Sequence, residues 1–313
     1  MLSDIALVLG GLAILLLAGD LLVRGAVNLA LRLGIPALMV GMTVVAFGTS
    51  APELLVSVKA VLADAGGLAL GNVVGSNIAN VLLVMGLPAL IAPVLIGRDS
   101  LRDYVIMLAV TLLFIGLAFG GVIAVWQALV LLTAFVLFMG ESIWRGMREQ
   151  HMPDALEGAD PSLSAARLSF YLALGLIGLP LGANLLVDGA VNIAEALGVS
   201  DVIIGLTIVA IGTSLPELAT TLMAAIRREG GVALGNILGS NIFNLLLILG
   251  VAGLVGPMVV PETMLRLDLW VMLGAALVLA PFIWTGRAIG RMTAALLLSG
   301  YGGYIWLLFH YGG

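Results

Sequence analysis

The segment Gly48-Thr49-Ser50-Ala51-Pro52-Glu53 returns 164 residues later as Gly212-Thr213-Ser214-Leu215-Pro216-Glu217. Each copy lies in the middle of a long apolar run, near 36–62 and 201–226, so each glutamate is expected at the midplane of a membrane span. A carboxylate at that depth costs at least ~2.5–3.5 kcal/mol on insertion scales. One such acid calls for a functional reason; two in matching positions make chance a poor explanation.

The match extends well beyond the hexapeptide. Gly71-Asn72 pairs with Gly235-Asn236, and Gly75-Ser76-Asn77-Ile78 with Gly239-Ser240-Asn241-Ile242, all at the same offset. Laying 20–93 on 184–257 without a gap gives 37 identities in 74 positions. The chain is therefore read as two repeats, 1–144 and 168–313, joined by a polar linker, 145–167, that holds His151, Pro153, Asp154, Glu157, Asp160 and Pro161.

Composition sets the class. Of 313 residues 62% are hydrophobic, 10% are charged, and none is cysteine. Soluble domains carry about 25% charged residues, so a soluble enzyme, a nucleic-acid binder and a disulfide scaffold are all excluded. Apolar runs and turn residues predict ten spans, near 4–22, 36–62, 68–95, 103–119, 122–142, 168–187, 201–226, 232–256, 266–284 and 290–310. No basic residue precedes Arg24, so the first run is read as a retained span, not a cleaved signal. With both termini outside, eleven of the thirteen basic residues fall on cytoplasmic ends; only Lys59 and Arg266 do not. Five spans per repeat is an odd number, so the second repeat enters the membrane from the opposite side. The expected fold is an all-α membrane protein of ten helices in two inverted-topology repeats, both termini extracellular, a signature of secondary transporters.

The residues around each glutamate supply oxygen. Proline at 52 and 216 removes the N–H that the carbonyls of Gly48 and Gly212 would meet in a helix. Thr49, Ser50, Thr213 and Ser214 add hydroxyls. Carboxylates, hydroxyls and freed carbonyls suit a hard cation such as Ca2+, which takes 6–8 oxygen ligands. The third and eighth spans centre on Asn80 and Asn244, with Ser76 and Ser240 one turn earlier on the same face. Gly71, Gly75, Gly235 and Gly239 read as close-packing faces, and Asn72, Asn77, Asn236 and Asn241 as interhelical hydrogen-bonders. Asp20, Glu141 and Asp188 lie towards span ends and are expected to be solvated or locally paired. A hydrolase using Ser50 or Ser214 has no base, because the only histidines are His151 and His310. An enclosed two-carboxylate site also binds too tightly for a passive channel.

With these motifs the chain resembles the cation/calcium exchanger superfamily, and most closely its prokaryotic sodium/calcium exchangers. The resemblance covers the whole chain and is sharpest over 41–86 and 205–250. It implies that Thr49, Glu53, Thr213 and Glu217 bind Ca2+. It implies Na+ sites built from Ser50, Glu53, Ser76, Asn80, Ser214, Glu217, Ser240 and Asn244, with the carbonyls of Ala46 and Ala210. It further implies Na+/Ca2+ antiport by alternating access, electrogenic Ca2+ extrusion, no cofactor, Na+, Ca2+ and lipid as the only partners, and a monomer as the functional unit in the plasma (inner) membrane. One departure stands out: several family members carry aspartate where this chain has Asn244. A Ca2+/H+ or K+-dependent exchanger of the same superfamily is the alternative.

Overall fold

The computed structural model describes residues 2–97, 100–148, 160, 162–197 and 210–311. Arg98, most of the expected linker and the first third of the expected seventh span, 201–209, lie outside them. The described chain is an all-α membrane protein. Among the described residues seven helices are long and apolar enough to cross a bilayer, or eight when one bent pair is taken as a single span.

Helix α1 is Leu2–Leu33. Helix α2 is the bent pair, α2a Ala37–Thr49 and α2b Ala51–Leu62, turned by 45° at Ser50. Then follow α3 Gly66–Ile91, α4 Leu101–Ala118 and α5 Val125–Arg148. After the linker come α6 Ala165–Ala196, the short α7a Ala210–Thr213 with α7b Leu215–Ile226, α8 Gly230–Val255, α9 Met264–Thr285 and α10 Arg291–Tyr311. The first and sixth spans, open to running longer than 4–22 and 168–187, reach 32 residues each. One expectation needs adjusting. The linker is shorter than 145–167, because α5 continues through Arg148 and α6 starts at Ala165. Arg145 is drawn into α5 by a buried ion pair with Asp103 of α4, 2.5 Å, and polar helix ends of this kind carry no hydropathy signal.

Helices α3 and α8 form the centre, with most of their residues buried, whereas most of α1 and α6 is not. Glycine explains how tightly they pack. A Cβ at Gly235 would sit 2.4 Å from the Leu38 carbonyl oxygen, and one at Gly239 2.4 Å from that of Met42, so α8 lies backbone to backbone on α2a. The partner that the repeat assigns to Gly71 and Gly75, residues 202–206, is outside the described residues. Glycine also seats α1 along α6: a Cβ at Gly11 would meet Leu186 N at 2.5 Å, and one at Gly189 the Asp4 oxygen at 2.6 Å. Small residues of this kind let spans approach where lipid provides no hydrophobic drive.

The halves interlock. The end of α3 packs on α10, and the end of α8 packs on α5. Beside each contact a short backbone pairing ties the loops: Val94 bridges Ile289, and strand β1, Val122–Ile123, pairs antiparallel with β2, Met258–Val259. Both turns that follow the glutamate helices use a non-glycine residue at positive φ, Asp64 at 58° and Arg228 at 60°. Their positions again differ by 164.

Candidate cation site

Each hexapeptide breaks its helix in the same way. Ser50 leaves helical geometry at φ −84°, ψ 6°, and Ser214 at φ −88°, ψ 5°; a new helix starts at the next residue with proline in its first turn. Proline is tolerated there because the first N–H groups of a helix have no internal partner. Glu53 and Glu217 therefore stand in the first turn of a fresh helix, near the positive end of its dipole, which favours a carboxylate. The Ala46 carbonyl accepts from Ser50 N–H at 3.0 Å and from the Thr49 hydroxyl at 3.3 Å, so it keeps a helical partner in this conformation.

Helices α3 and α8 are irregular where they face these breaks. Each relaxes into a π-helical turn that begins at the central asparagine, Asn80–Val84 and Asn244–Ile248. Such turns widen the helix and recur at functional sites.

The structure brings the expected residues together. Glu53, Glu217, Thr49, Ser50, Ser214, Ser76, Ser240, Asn80 and Asn244 are all buried, and Thr213 is half-buried. Ala46 is buried, and Ala210 opens α7a. Ser50 of one half donates its hydroxyl to Glu217 Oε1 of the other at 3.1 Å. Ser50 stands three residues before Glu53, so this bond brings the two glutamate-bearing breaks together.

Asparagines hold this arrangement in duplicate. Asn72 Nδ2 donates to the Glu53 carbonyl (3.3 Å) and to Ser57 Oγ (3.0 Å); Asn236 Nδ2 does the same to the Glu217 carbonyl (3.3 Å) and Thr221 Oγ1 (3.1 Å). Asn236 Oδ1 also accepts from the Thr49 hydroxyl at 3.2 Å. At the centre the pairs cross between halves: Asn80 Nδ2 donates to Asn241 Oδ1 at 3.1 Å, and Asn244 Nδ2 to Asn77 Oδ1 at 3.0 Å. The hydrogen-bonding role expected for Asn72, Asn77, Asn236 and Asn241 is what the geometry shows. Their partners Ser57 and Thr221 escaped the sequence reading, because nothing in one dimension pairs residues 15 apart on two helices.

What remains unpaired is informative. Buried side-chain atoms without a hydrogen-bond partner include Glu53 Oε2, Glu217 Oε2, Asn80 Oδ1, Asn244 Oδ1, Ser214 Oγ and Ser240 Oγ. Each can accept a bond, and each belongs to the set read from the sequence. An unsatisfied buried acceptor costs roughly 1–3 kcal/mol, more when charged, and a cluster of them offers acceptors that a positively charged ligand could satisfy. Among the described residues no three acidic or histidine side chains converge, so the negative charge of this centre is that of the glutamate pair.

Fold and site together define a class: a multi-pass membrane protein whose duplicated halves meet at a buried centre of carboxylate, hydroxyl and amide oxygens. The family described as sodium/calcium exchanger protein matches residues 3–144 and 168–310, and this chain belongs to it. The putative antiporter CaxA of Alkalimonas amylolytica is 40% identical, over 96% of this chain and 97% of its own. The sodium/calcium exchanger MaX1 of Methanosarcina acetivorans is 36% identical over 96% and 97%. The inner membrane protein YrbG of Escherichia coli is 35% identical over 99% and 98%. Among solved structures, the sodium-calcium exchanger NCX_Mj matches with a TM-score of 0.85 at 32% identity, covering 97% of this chain and 98% of that one. The chain is thus a cation/Ca2+ antiporter of the inner (plasma) membrane, a transporter and not an enzyme.

Proposed function

We propose that this antiporter exchanges Na+ for Ca2+ by alternating access, through ten helices in two inverted five-helix repeats, 1–144 and 168–313, with both termini extracellular and a monomer as the working unit. The observation that carries the ion assignment is the ring of unpaired acceptors, Glu53 Oε2, Glu217 Oε2, Asn80 Oδ1 and Asn244 Oδ1. Both asparagines use their amide hydrogens on Asn241 and Asn77, which leaves oxygen as the atom still to be satisfied. Ca2+ would take Thr49, Glu53, Thr213 and Glu217. Na+ would take those glutamates with Ser50, Ser76, Asn80, Ser214, Ser240, Asn244 and the carbonyls of Ala46 and Ala210.

Charge accounts for exchange. Two ionised glutamates carry −2, and a bare pair of charges is costly to move past an apolar barrier. One Ca2+ neutralises it. Two or three Na+ also compensate it, using the hydroxyls and amides, which add ligands without adding charge. Loaded forms then interconvert and the empty form does not, which makes the transporter an antiporter. The hydroxyl-rich surroundings favour Na+ over H+, since proton carriage needs the carboxylates alone.

The orientation is supported by contacts that gather the arginines at one end. The Arg32 guanidinium donates to the Leu163 carbonyl, and Asp160 N–H donates to Asn28 Oδ1 at 2.9 Å, so the linker meets the end of α1. Ser162 N–H and Oγ bind the Asp160 carboxylate and hold it below its usual range. Arg102 pairs with Glu141, and Arg145 with Asp103, where α4 begins and α5 ends. The crossed pairings of α3 with α10 and of α8 with α5, each beside a backbone bridge, fit repeats related by a two-fold axis in the membrane plane.

The test is calcium uptake by Na+-loaded proteoliposomes diluted into sodium-free medium. Uptake is expected in the parent and lost in Glu53→Gln and in Glu217→Gln. Uptake that persists in both variants would overturn the site. Uptake driven by a pH gradient in the absence of Na+ would replace Na+ with H+ as the coupling ion.

A further inference from the structure

Helix α7b is the second-half counterpart of α2b, and α6 is the counterpart of α1. Two matching seams therefore exist, α1 on α7b and α6 on α2b. Only the first is packed. Ala219 of α7b is 6% exposed, whereas its counterpart Leu55 on α2b is 62% exposed. The packed seam is held at two levels. A Cβ at Gly19 would lie 3.0 Å from the Ala219 carbonyl oxygen and 3.3 Å from the Met223 side chain, so α1 rests directly on α7b. One residue on, Asp20 Oδ1 accepts from Arg227 Nε at 2.5 Å, while Asp20 Oδ2 pairs with Arg24 Nε at 3.0 Å. Both carboxylate oxygens are thereby engaged.

The sequence makes the seams unequal at these same positions. At an offset of 164, Gly19 corresponds to Ala183, Asp20 to Asn184, Ala219 to Leu55 and Arg227 to Ala63. All four differences favour closure on the α1 side: less bulk in both faces, and an ion pair where the other seam has an amide and a methyl.

Thr220 connects this seam to the site. On α7b the residues that meet α1 are Ala219, Met223 and Arg227, and those that meet Asn236 of α8 are Glu217 and Thr221; Thr220 falls between the two sets at helical spacing. It is completely buried, and its hydroxyl has no partner. Its counterpart on α2b is Val56. Ten residues separate Glu217 from Arg227, a rise of about 15 Å, which is half the thickness of the hydrocarbon core. The seam thus leads from the carboxylates to the arginine-rich end.

We propose that the α1–α7b seam is the ion route to the arginine-rich side, closed in this structure, with Thr220 lining it and Asp20, clamped by Arg24 and Arg227, acting as its latch. The latch biases the two-state equilibrium in one direction. Arg24 stays with Asp20 on α1 in either state. Opening withdraws only Arg227 and frees the Asp20 oxygen it held to attract cations at the mouth, and closure covers that oxygen again.

This rests on the exchanger reading above, and its test separates the two. The chain has no cysteine, so Thr220→Cys gives a single reporter for a membrane-impermeant cationic thiol reagent applied from the arginine-rich side of oriented vesicles. With the latch intact, labelling is expected to be slow. Adding Arg227→Gln, or Asp20→Asn, should raise the rate about fivefold or more, as a coupling of ordinary size would. Arg227→Lys, which keeps the pair, should leave it slow. Equal rates in all four proteins, or fast labelling with the latch intact, would overturn the proposal. Met223→Cys is the second reporter should Thr220→Cys lose sodium-driven calcium flux. Loss of that flux in the parent protein would count against the exchanger reading and not against the latch.

Discussion

Asn236 donates to the Glu217 carbonyl and to Thr221 Oγ1, and accepts from Thr49, so one amide aligns a carboxylate-bearing turn of one half with a hydroxyl of the other. Replacing it with alanine should cost about 1–3 kcal/mol, through buried groups left without partners. A lowered melting temperature of the purified protein, and a smaller rise on adding Ca2+, would register both the stability and the positioning role. Asn244 bears on the charge of the site. Asn244→Asp adds a third acid to a centre that, under the proposed function, one Ca2+ neutralises. When that acid is protonated, the loaded site stays neutral as in the parent. When ionised, it leaves −1 in a buried place, which opposes the passage between states. Calcium flux in this variant should therefore fall as pH rises, and a flux–pH profile beside that of the parent would show it. The identities of these residues were legible in the sequence through the repeat. Their bonding was not, because an asparagine's spacing does not reveal which of its two ends faces the ion.

At the scale of helices, the glycines divide sharply by what surrounds them. A methyl at Gly235 would meet the Leu38 carbonyl at 2.4 Å and Met42 N at 3.0 Å, both backbone atoms that cannot move aside cheaply. At Gly116 on α4 it would meet nothing within 4 Å. Gly235→Ala is expected to destabilise by about 1–3 kcal/mol through overpacking, and Gly116→Ala to be neutral or slightly stabilising through helix propensity. Paired thermal melts check the contrast. Glycine in register was visible in the sequence as a packing face; the depth of each contact was not. Nor were the π-helical turns at Asn80 and Asn244. They insert no unusual residue and arise because the helix accommodates neighbours that come from elsewhere in the chain. The first and sixth spans were open to running longer than their apolar runs, but Asp20, Arg24 and Asp188 interrupt those runs, so how far α1 and α6 extend was not legible. At 32 residues each, a straight helix is about 48 Å long, more than a core of about 30 Å, so each tilts or extends its ends beyond that core.

At the scale of the whole molecule, two interlocked halves surround a centre of fixed charge. If three Na+ exchange for one Ca2+, each cycle moves one net charge, worth ~2.3 kcal/mol per 100 mV. Calcium uptake into sodium-loaded proteoliposomes should then respond to an imposed potassium-diffusion potential, speeding up when the vesicle interior is made positive, since more positive charge leaves than enters. Potential-independent uptake would point to an electroneutral ratio of two to one.

The linear sequence determined that the chain lives in a bilayer, that it is duplicated, and which acids, hydroxyls and amides recur in register, because composition and periodicity are local properties that survive without a fold. The tertiary structure alone decided which oxygens are left unpaired and which of two equivalent seams is shut. Such choices depend on contacts such as Asp20 with Arg227 and Ser50 with Glu217. A duplicated sequence offers both seams the same general plan, and only packing between distant segments weighs one against the other.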